Sequence, residues 1–145
     1  MRIITAKSVR IAGWVASPFI LALIIFLSLL PPSQEPSSFL DFPFGDKIAH
    51  MAAYTAVAFA FSLAFLRGSK TSRLSILIKD NICSIIATFV FIVTVGGVIE
   101  IIQPLLGRSR EMLDLIFDAI GTSFGILCGI LVIYGVTKGD DVDAQ

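Results

Sequence analysis

Four long apolar runs constrain this chain more than any other feature. They lie at about residues 11–30, 47–66, 82–103 and 113–134. Each is close to the roughly 20 residues that a helix needs to cross the core of a bilayer. Only 15% of the residues are charged, whereas soluble domains carry about 25%. We therefore predict an all-α, four-span transmembrane helical bundle that forms a single domain over residues 1–145, with a polar tail at 135–145.

The distribution of Lys and Arg predicts an orientation for such a bundle. Four spans place the N-terminal segment, the loop between the second and third runs, and the tail on one side, and these hold eight of the eleven basic residues. They are Arg2, Lys7, Arg10, Arg67, Lys70, Arg73, Lys79 and Lys138. The other side holds Lys47, Arg108 and Arg110. Since cytoplasmic loops carry the excess of positive charge, we expect both termini in the cytoplasm. The formal net charge of zero gives no indication of nucleic-acid binding.

The second span begins with the polar stripe DKIAHMAAY. Asp46, His50 and Tyr54 are four residues apart, so they lie within about 80° of one helix face. Other interpretations remain open: Asp46 as a helix N-cap, Lys47 as an anchor that reaches the interface, and Tyr54 as an interfacial aromatic.

The third span ends in GVIEIIQPLLGR. Pro104 has no N–H group, so we expect the helix to end near Gln103 and Glu100 to lie about one turn below the outer rim. A charge at the bilayer centre costs about 2.5–3.5 kcal/mol, and less towards the interface. Glu100 and Gln103 are therefore candidates for a polar site, with structural packing as the alternative.

The fourth span places acids and glycines on one face. Asp114, Asp118, Gly121 and Gly125 follow a continuous helical stripe, which Gly129 extends. Small residues at this spacing permit close packing of helices in lipid. We therefore predict that Gly121, Gly125 and Gly129 form a helix-packing surface and that both acids face protein.

Charges accumulate at the predicted outer face. Asp46, Glu100, Glu111, Asp114 and Asp118 exceed Lys47, Arg108 and Arg110 by two charges if all are ionised. Protons, a cation or partner groups must compensate such an excess in a semi-buried site. For Glu111 the favoured interpretation is complementation of the helix N-terminus, with Ser109 as the cap.

Together these residues resemble the VanZ-like family of small bacterial membrane proteins. The family pattern is D-K-x-x-H-x-x-x-Y, then E-x-x-Q, G-R and D-x-x-x-N-x-x-G, over about residues 46–129 here. The matching residues are Asp46, Lys47, His50, Tyr54, Glu100, Gln103, Gly107, Arg108, Asp114 and Gly121. Asp118 stands where the family usually has Asn.

The resemblance implies a multi-pass protein of the bacterial cytoplasmic (inner) membrane with a role in the cell envelope. The family's namesake accompanies glycopeptide-antibiotic resistance. We therefore expect an outward-facing polar pocket that binds or modulates an envelope lipid or a surface-polymer precursor. Its predicted ligand-binding residues are Asp46, Lys47, His50, Tyr54, Glu100, Gln103, Arg108, Asp114 and Asp118. Arg108 and Arg110 are candidates for holding an anionic headgroup.

Two other functions stay open at this point. The pocket could belong to an enzyme that uses His50 as general base and Glu100 as general acid on a lipid-linked substrate. No nucleophile is evident, and although three acids with His50 could hold a hard divalent cation, no metal signature such as H-E-x-x-H is present. We therefore predict no cofactor and do not favour catalysis. The chain could instead be a helper subunit that docks a protein partner in an envelope export or assembly machine.

Overall fold

The computed structural model describes residues 5–30, 44–69, 73–109 and 111–142, with side chains as far as Lys138. Arg2, Lys70 and Arg110 lie outside these ranges. The elements are α1 (Ala6–Ser28), α2 (Gly45–Phe65), α3 (Leu74–Ile102), a 3-10 helix (Gln103–Leu106) and α4 (Met112–Val142). The described ranges contain no strand, and α1 to α4 are each long and apolar enough to cross a membrane. The prediction of an all-α, four-span bundle is thus confirmed.

Helices α3 and α4 are longer than the apolar runs that predicted them. Helix α3 begins at Leu74, not at about residue 82, because LSILIKD forms two amphipathic turns. Lys79 and Asp80 are exposed there, while Leu77 and Asn81 are buried. Helix α4 continues to Val142, so the start of the predicted polar tail is helical.

Helices α2 and α4 form the most extensive interface of the bundle. The three glycines predicted to pack helices all lie in it. A Cβ atom added to any of them would clash with α2, and for two of them the clash would be with a backbone carbonyl oxygen. The contacts pair Gly121 with Met51, Gly125 with Thr55 and Gly129 with Ser62. The absence of side chains thus lets the two backbones approach closely.

Helix α1 lies at the outside of the bundle and packs mainly on α2. It buries Gly13, Ser17 and Ile24, and a Cβ atom on Gly13 would clash with the backbone of α2 at Ala64. Large apolar side chains such as that of Phe19, which is 71% exposed, point outwards. This arrangement suits a helix whose outer surface contacts acyl chains.

We call the end of the bundle where α2 and α4 begin and α3 ends the polar end. Helix α3 stops at Ile102, as Pro104 predicts, and the 3-10 helix follows. Gly107 then adopts φ 80°, and the N–H groups of Gly107 and Arg108 donate to the carbonyls of Pro104 and Gln103. This turn is tight enough to return the chain into α4 beside the end of α3.

Candidate functional site

Most of the predicted site residues meet at the polar end. The first turns of α2 supply Asp46, Lys47, His50 and Tyr54, the last turn of α3 supplies Glu100, and the first turns of α4 supply Asp114 and Asp118. The acids and bases of this group are joined by direct contacts from one helix to the next. We call these seven residues together with Glu111 the polar cluster.

Lys47 is the positive centre of the polar cluster. Its Nζ atom lies 2.5 Å from Oδ2 of Asp46, 2.5 Å from Oε2 of Glu111 and 3.1 Å from Oδ1 of Asp114. The side chain is only 8% exposed, so Lys47 is not an anchor that reaches for the interface. The contacts with Asp46 and Glu111 are hydrogen bonds, and the contact with Asp114 is an ion pair.

Asp46 does not cap α2. The N-cap position is Phe44, in a left-handed conformation with φ 67°, and it makes no side-chain capping hydrogen bond. Asp46 instead lies inside the first turn, where its carboxylate accepts from the ammonium group of Lys47. The turn therefore presents a paired acid and base to the start of α4.

His50 contacts two acids of α4 through its two ring nitrogens. Its Nδ1 atom lies 2.9 Å from Oδ1 of Asp118, a residue that is 1% exposed. Its Nε2 atom lies 3.9 Å from Oδ2 of Asp114. When Asp118 is ionised, its carboxylate can only accept, so Nδ1 is then the nitrogen that donates.

Tyr54 is buried against His50 and does not lie at the lipid interface. It is 2% exposed, and its ring is nearly parallel to that of His50 with centroids 6.2 Å apart. Gly96 of α3 makes room for it: a Cβ atom there would lie 3.0 Å from the Tyr54 hydroxyl and 2.7 Å from Oδ2 of Asp118. The hydroxyl and the carboxylate therefore share the space that Gly96 leaves open.

Glu100 joins the end of α3 to the start of α4. Its Oε2 atom accepts from the backbone N–H of Glu111 at 3.1 Å, a group that precedes the first turn of α4. Its Oε1 atom has no hydrogen-bond partner among the described residues, although Glu100 is only 3% exposed. Ser109, the expected cap, lies three residues before the first helical residue, Met112.

Gln103 and Arg108 follow Glu100 at the end of α3, one in the 3-10 helix and the other in the turn after it. The Nε2 atom of Gln103 donates to the backbone carbonyl of Ser28 at 3.2 Å, so this buried amide binds the last turn of α1. Arg108 is half-buried in the turn after the 3-10 helix, where its backbone N–H donates to the carbonyl of Gln103. Gln103 thus links the 3-10 helix to α1, and its role as a ligand-binding residue stays a prediction.

Glu111 belongs to the site, whereas the sequence suggested only a helix-terminus role. It binds Lys47 with its carboxylate and Glu100 with its backbone N–H. The spacing of Glu111, Asp114 and Asp118, at i, i+3 and i+7, places them on one helix face. That periodicity is the sequence signal that would have added Glu111 to the predicted site residues.

The polar cluster carries an excess of acid. Its five carboxylates, those of Asp46, Glu100, Glu111, Asp114 and Asp118, outnumber its two basic side chains, Lys47 and His50. Most of these acids are buried or half-buried. Such an excess is stable only where protons or a bound cation compensate it.

An apolar groove between α3 and α4 leads to these acids. Its volume is about 340 Å³. It is lined by Thr94, Gly97, Val98, Glu100 and Ile101 of α3 and by Glu111, Met112 and Leu115 at the start of α4. Glu100 and Glu111 give it one polar end, while the other lining residues are mainly apolar.

Two groups of three side chains bring donor atoms close enough to hold a metal ion. One is His50, Glu100 and Asp114, and the other is Asp46, Glu111 and Asp114; within each group the donor atoms lie within 4.8 Å of one another. Neither follows a contiguous sequence signature, because each draws on more than one helix.

Fold and site together define a four-span helical membrane protein with a buried, acid-rich cluster at one end of the bundle. Comparison of the chain with known protein families, with curated proteins and with solved structures finds no match.

Proposed function

We propose that this chain is a VanZ-like protein of the bacterial cytoplasmic membrane that binds an envelope lipid or a lipid-linked precursor of a surface polymer. The headgroup contacts the polar cluster at the outer face of the membrane, and both termini lie in the cytoplasm. The family resemblance and the excess of basic residues at the opposite end of the bundle support this setting.

The groove between α3 and α4 is the observation that carries the proposal. It combines an apolar wall with a polar end formed by Glu100 and Glu111. A membrane lipid is divided in the same way: its acyl or prenyl chain is apolar, and the head at one end is hydrophilic. A groove of about 340 Å³ accommodates part of one chain, while the head lies against the polar cluster.

Gly97 provides a test that does not disturb the cluster. It lines the groove, and a Cβ atom there would meet only Leu115, at 4.0 Å. Gly97→Phe therefore fills the groove without a clash against backbone, and Thr94→Trp fills it from another lining position. The matched control is Gly135→Phe on α4, where a Cβ atom has no neighbour within 4 Å.

Native mass spectrometry of the purified proteins measures the lipid that each retains. We expect the wild type and Gly135→Phe to retain the same lipid, and Gly97→Phe and Thr94→Trp to lose most of it. Exchange into nanodiscs that contain phosphatidylethanolamine, phosphatidylglycerol or a polyprenyl phosphate then identifies the headgroup class. Equal lipid retention by all four proteins, each with an unchanged melting temperature, would contradict the proposal.

Acid–base catalysis on a lipid-linked substrate is the second candidate. The pairing of His50 with Asp118 at 2.9 Å favours it, because a carboxylate that orients an imidazole is a common feature of general bases. Incubation of the purified protein with a polyprenyl pyrophosphate tests it through release of phosphate. Turnover that is lost in His50→Ala would favour an enzyme over a binding protein.

A further inference from the structure

We infer that His50, Glu100 and Asp114 form a binding site for one divalent cation of the Zn²⁺ or Mn²⁺ class. The inference goes beyond lipid binding and does not depend on it. Each of α2, α3 and α4 supplies one ligand, and the three donor atoms lie within 4.8 Å of one another. Ligands that surround a single ion at about 2.0–2.2 Å are separated from each other by roughly 3–4 Å. The 3.9 Å between Nε2 of His50 and Oδ2 of Asp114 falls in this range.

The orientation of His50 favours metal binding. With Asp118 ionised, the Nδ1–H group donates to it at 2.9 Å, which leaves Nε2 directed at Asp114. The separation of 3.9 Å is too long for a hydrogen bond, and it leaves both atoms able to bind one ion between them. Histidines that bind metals commonly donate the other ring N–H to a carboxylate in this way.

Glu100 supplies an independent observation. Its Oε1 atom is buried and has no hydrogen-bond partner among the described residues, while Oε2 is occupied by the N–H of Glu111. A buried carboxylate oxygen without a donor is costly, and a cation beside it removes that cost. The ion would also compensate the acid excess of the polar cluster, which Lys47 alone does not.

The position of Lys47 favours the group that contains His50 as the metal site, and not the group of Asp46, Glu111 and Asp114. Its ammonium group lies among Asp46, Glu111 and Asp114, so the positive charge for that group is already in place. Asp114 uses Oδ1 towards Lys47 and has Oδ2 facing His50. The second oxygen is therefore free of the lysine and directed at the proposed ion.

The donor set indicates the class of ion. One imidazole nitrogen and two carboxylate oxygens suit Zn²⁺ or Mn²⁺, whereas Ca²⁺ and Mg²⁺ prefer oxygen ligands alone. Three protein ligands also leave at least one coordination position for water or an external oxygen.

Isothermal titration calorimetry on the full chain tests the site. The protein is purified in detergent, its affinity tag is removed, metals are stripped with EDTA, and the chelator is dialysed away before ZnCl₂ or MnCl₂ is added. We expect one ion per chain, with affinity reduced at least tenfold in His50→Ala and in the near-isosteric Glu100→Gln. Asp118→Asn keeps a hydrogen-bond acceptor for Nδ1, so we expect a smaller loss than in His50→Ala.

Asp80→Asn is the matched control for Glu100→Gln. Both remove one carboxylate from α3, but Asp80 lies on an exposed surface near the opposite end of the helix. We expect its affinity for Zn²⁺ and Mn²⁺ to equal that of the wild type. The inference is overturned if folded wild-type protein binds neither ion, or if Glu100→Gln and Asp80→Asn bind as tightly as the wild type. Melting temperatures exclude unfolding as the cause of any loss.

Discussion

The Nδ1 atom of His50 lies 2.9 Å from Oδ1 of Asp118, although 68 residues separate the two along the chain. This contact joins α2 to α4 within one turn of Gly121, where the close approach of the two helices begins. With Asp118 ionised, it also places a proton on Nδ1 and leaves Nε2 facing Asp114. This one pair therefore links the contact between two helices to the chemistry of the polar cluster.

Replacement of Asp118 separates these two roles. Asp118→Asn retains an oxygen that accepts from Nδ1, so we expect the free energy of unfolding to change by less than about 1 kcal/mol. Asp118→Ala removes the acceptor from a buried donor and should cost about 1–3 kcal/mol. Unfolding in mixed micelles of increasing SDS content measures both. An alanine variant as stable as the asparagine variant would show that the contact contributes nothing to stability.

The sequence predicted the four helices and most of the polar cluster because both follow from simple periodicities. Hydropathy places the spans, and a four-residue spacing places His50 with Tyr54, and Asp114 with Asp118, on single faces. It underestimated α3, because Lys79 and Asp80 lower the local hydropathy although they occupy the exposed side of a helical turn. Hydropathy alone cannot distinguish such a turn from a loop.

Tertiary placement decides the contacts that the sequence pattern did not indicate. Gln103 is three residues after Glu100, which on a helix is an offset of about 60°. That offset is enough to direct its amide to Ser28 of α1 instead of the polar cluster. The position of Glu111 at a helix start predicted that it complements the helix N-terminus. In the fold its carboxylate instead binds Lys47, which is 64 residues distant in the sequence. Neither neighbour can be inferred from local pattern.

Lys47 should be essential to stability because its ammonium group is buried among three carboxylates. Lys47→Met retains a similar volume but leaves the buried Asp114 unpaired. We expect a loss of about 3 kcal/mol in the free energy of unfolding, at the lower limit for broken buried ion pairs because Asp46 and Glu111 are partly exposed.

A second substitution distinguishes the effect of the unpaired Asp114 charge from a loss of packing. The double variant Lys47→Met, Asp114→Asn removes the unpaired acid as well, so it should recover at least half of the stability lost in the single variant. No recovery in the SDS unfolding assay would mean that Lys47 acts through the packing of its aliphatic chain and not through its charge.

The α2–α4 interface should be intolerant of any side chain at Gly125. A Cβ atom there would clash with the carbonyl oxygen of Thr55 and lie 2.9 Å from the Cβ atom of Ala58. We expect Gly125→Leu to force the helices apart and to destabilise the protein by about 2–3 kcal/mol. Gly135→Leu, at an open position of the same helix, should leave stability unchanged. Equal effects of the two substitutions would refute this account of the glycine stripe.

The orientation of the bundle decides from which side the polar cluster is reached. Basic residues are concentrated at the end opposite to the polar end, so we expect the cluster to face outwards. Labelling of single cysteines in intact cells with a membrane-impermeant maleimide measures this. The starting protein is a cysteine-free variant in which alanine replaces the free cysteines Cys83 and Cys128. A single cysteine is then introduced at one of two exposed positions, as Ser109→Cys or Ser75→Cys.

Ser109→Cys lies beside the polar cluster, so it should react in intact cells, whereas Ser75→Cys in the first turn of α3 should react only after the cells are permeabilised. The two reporters lie at opposite ends of one helical span, so each serves as the control for the other. The reverse pattern would place the cluster on the cytoplasmic side. The proposed ligand would then have to be bound before it crosses the membrane, because the groove beside Glu100 and Glu111 would open to the inner leaflet.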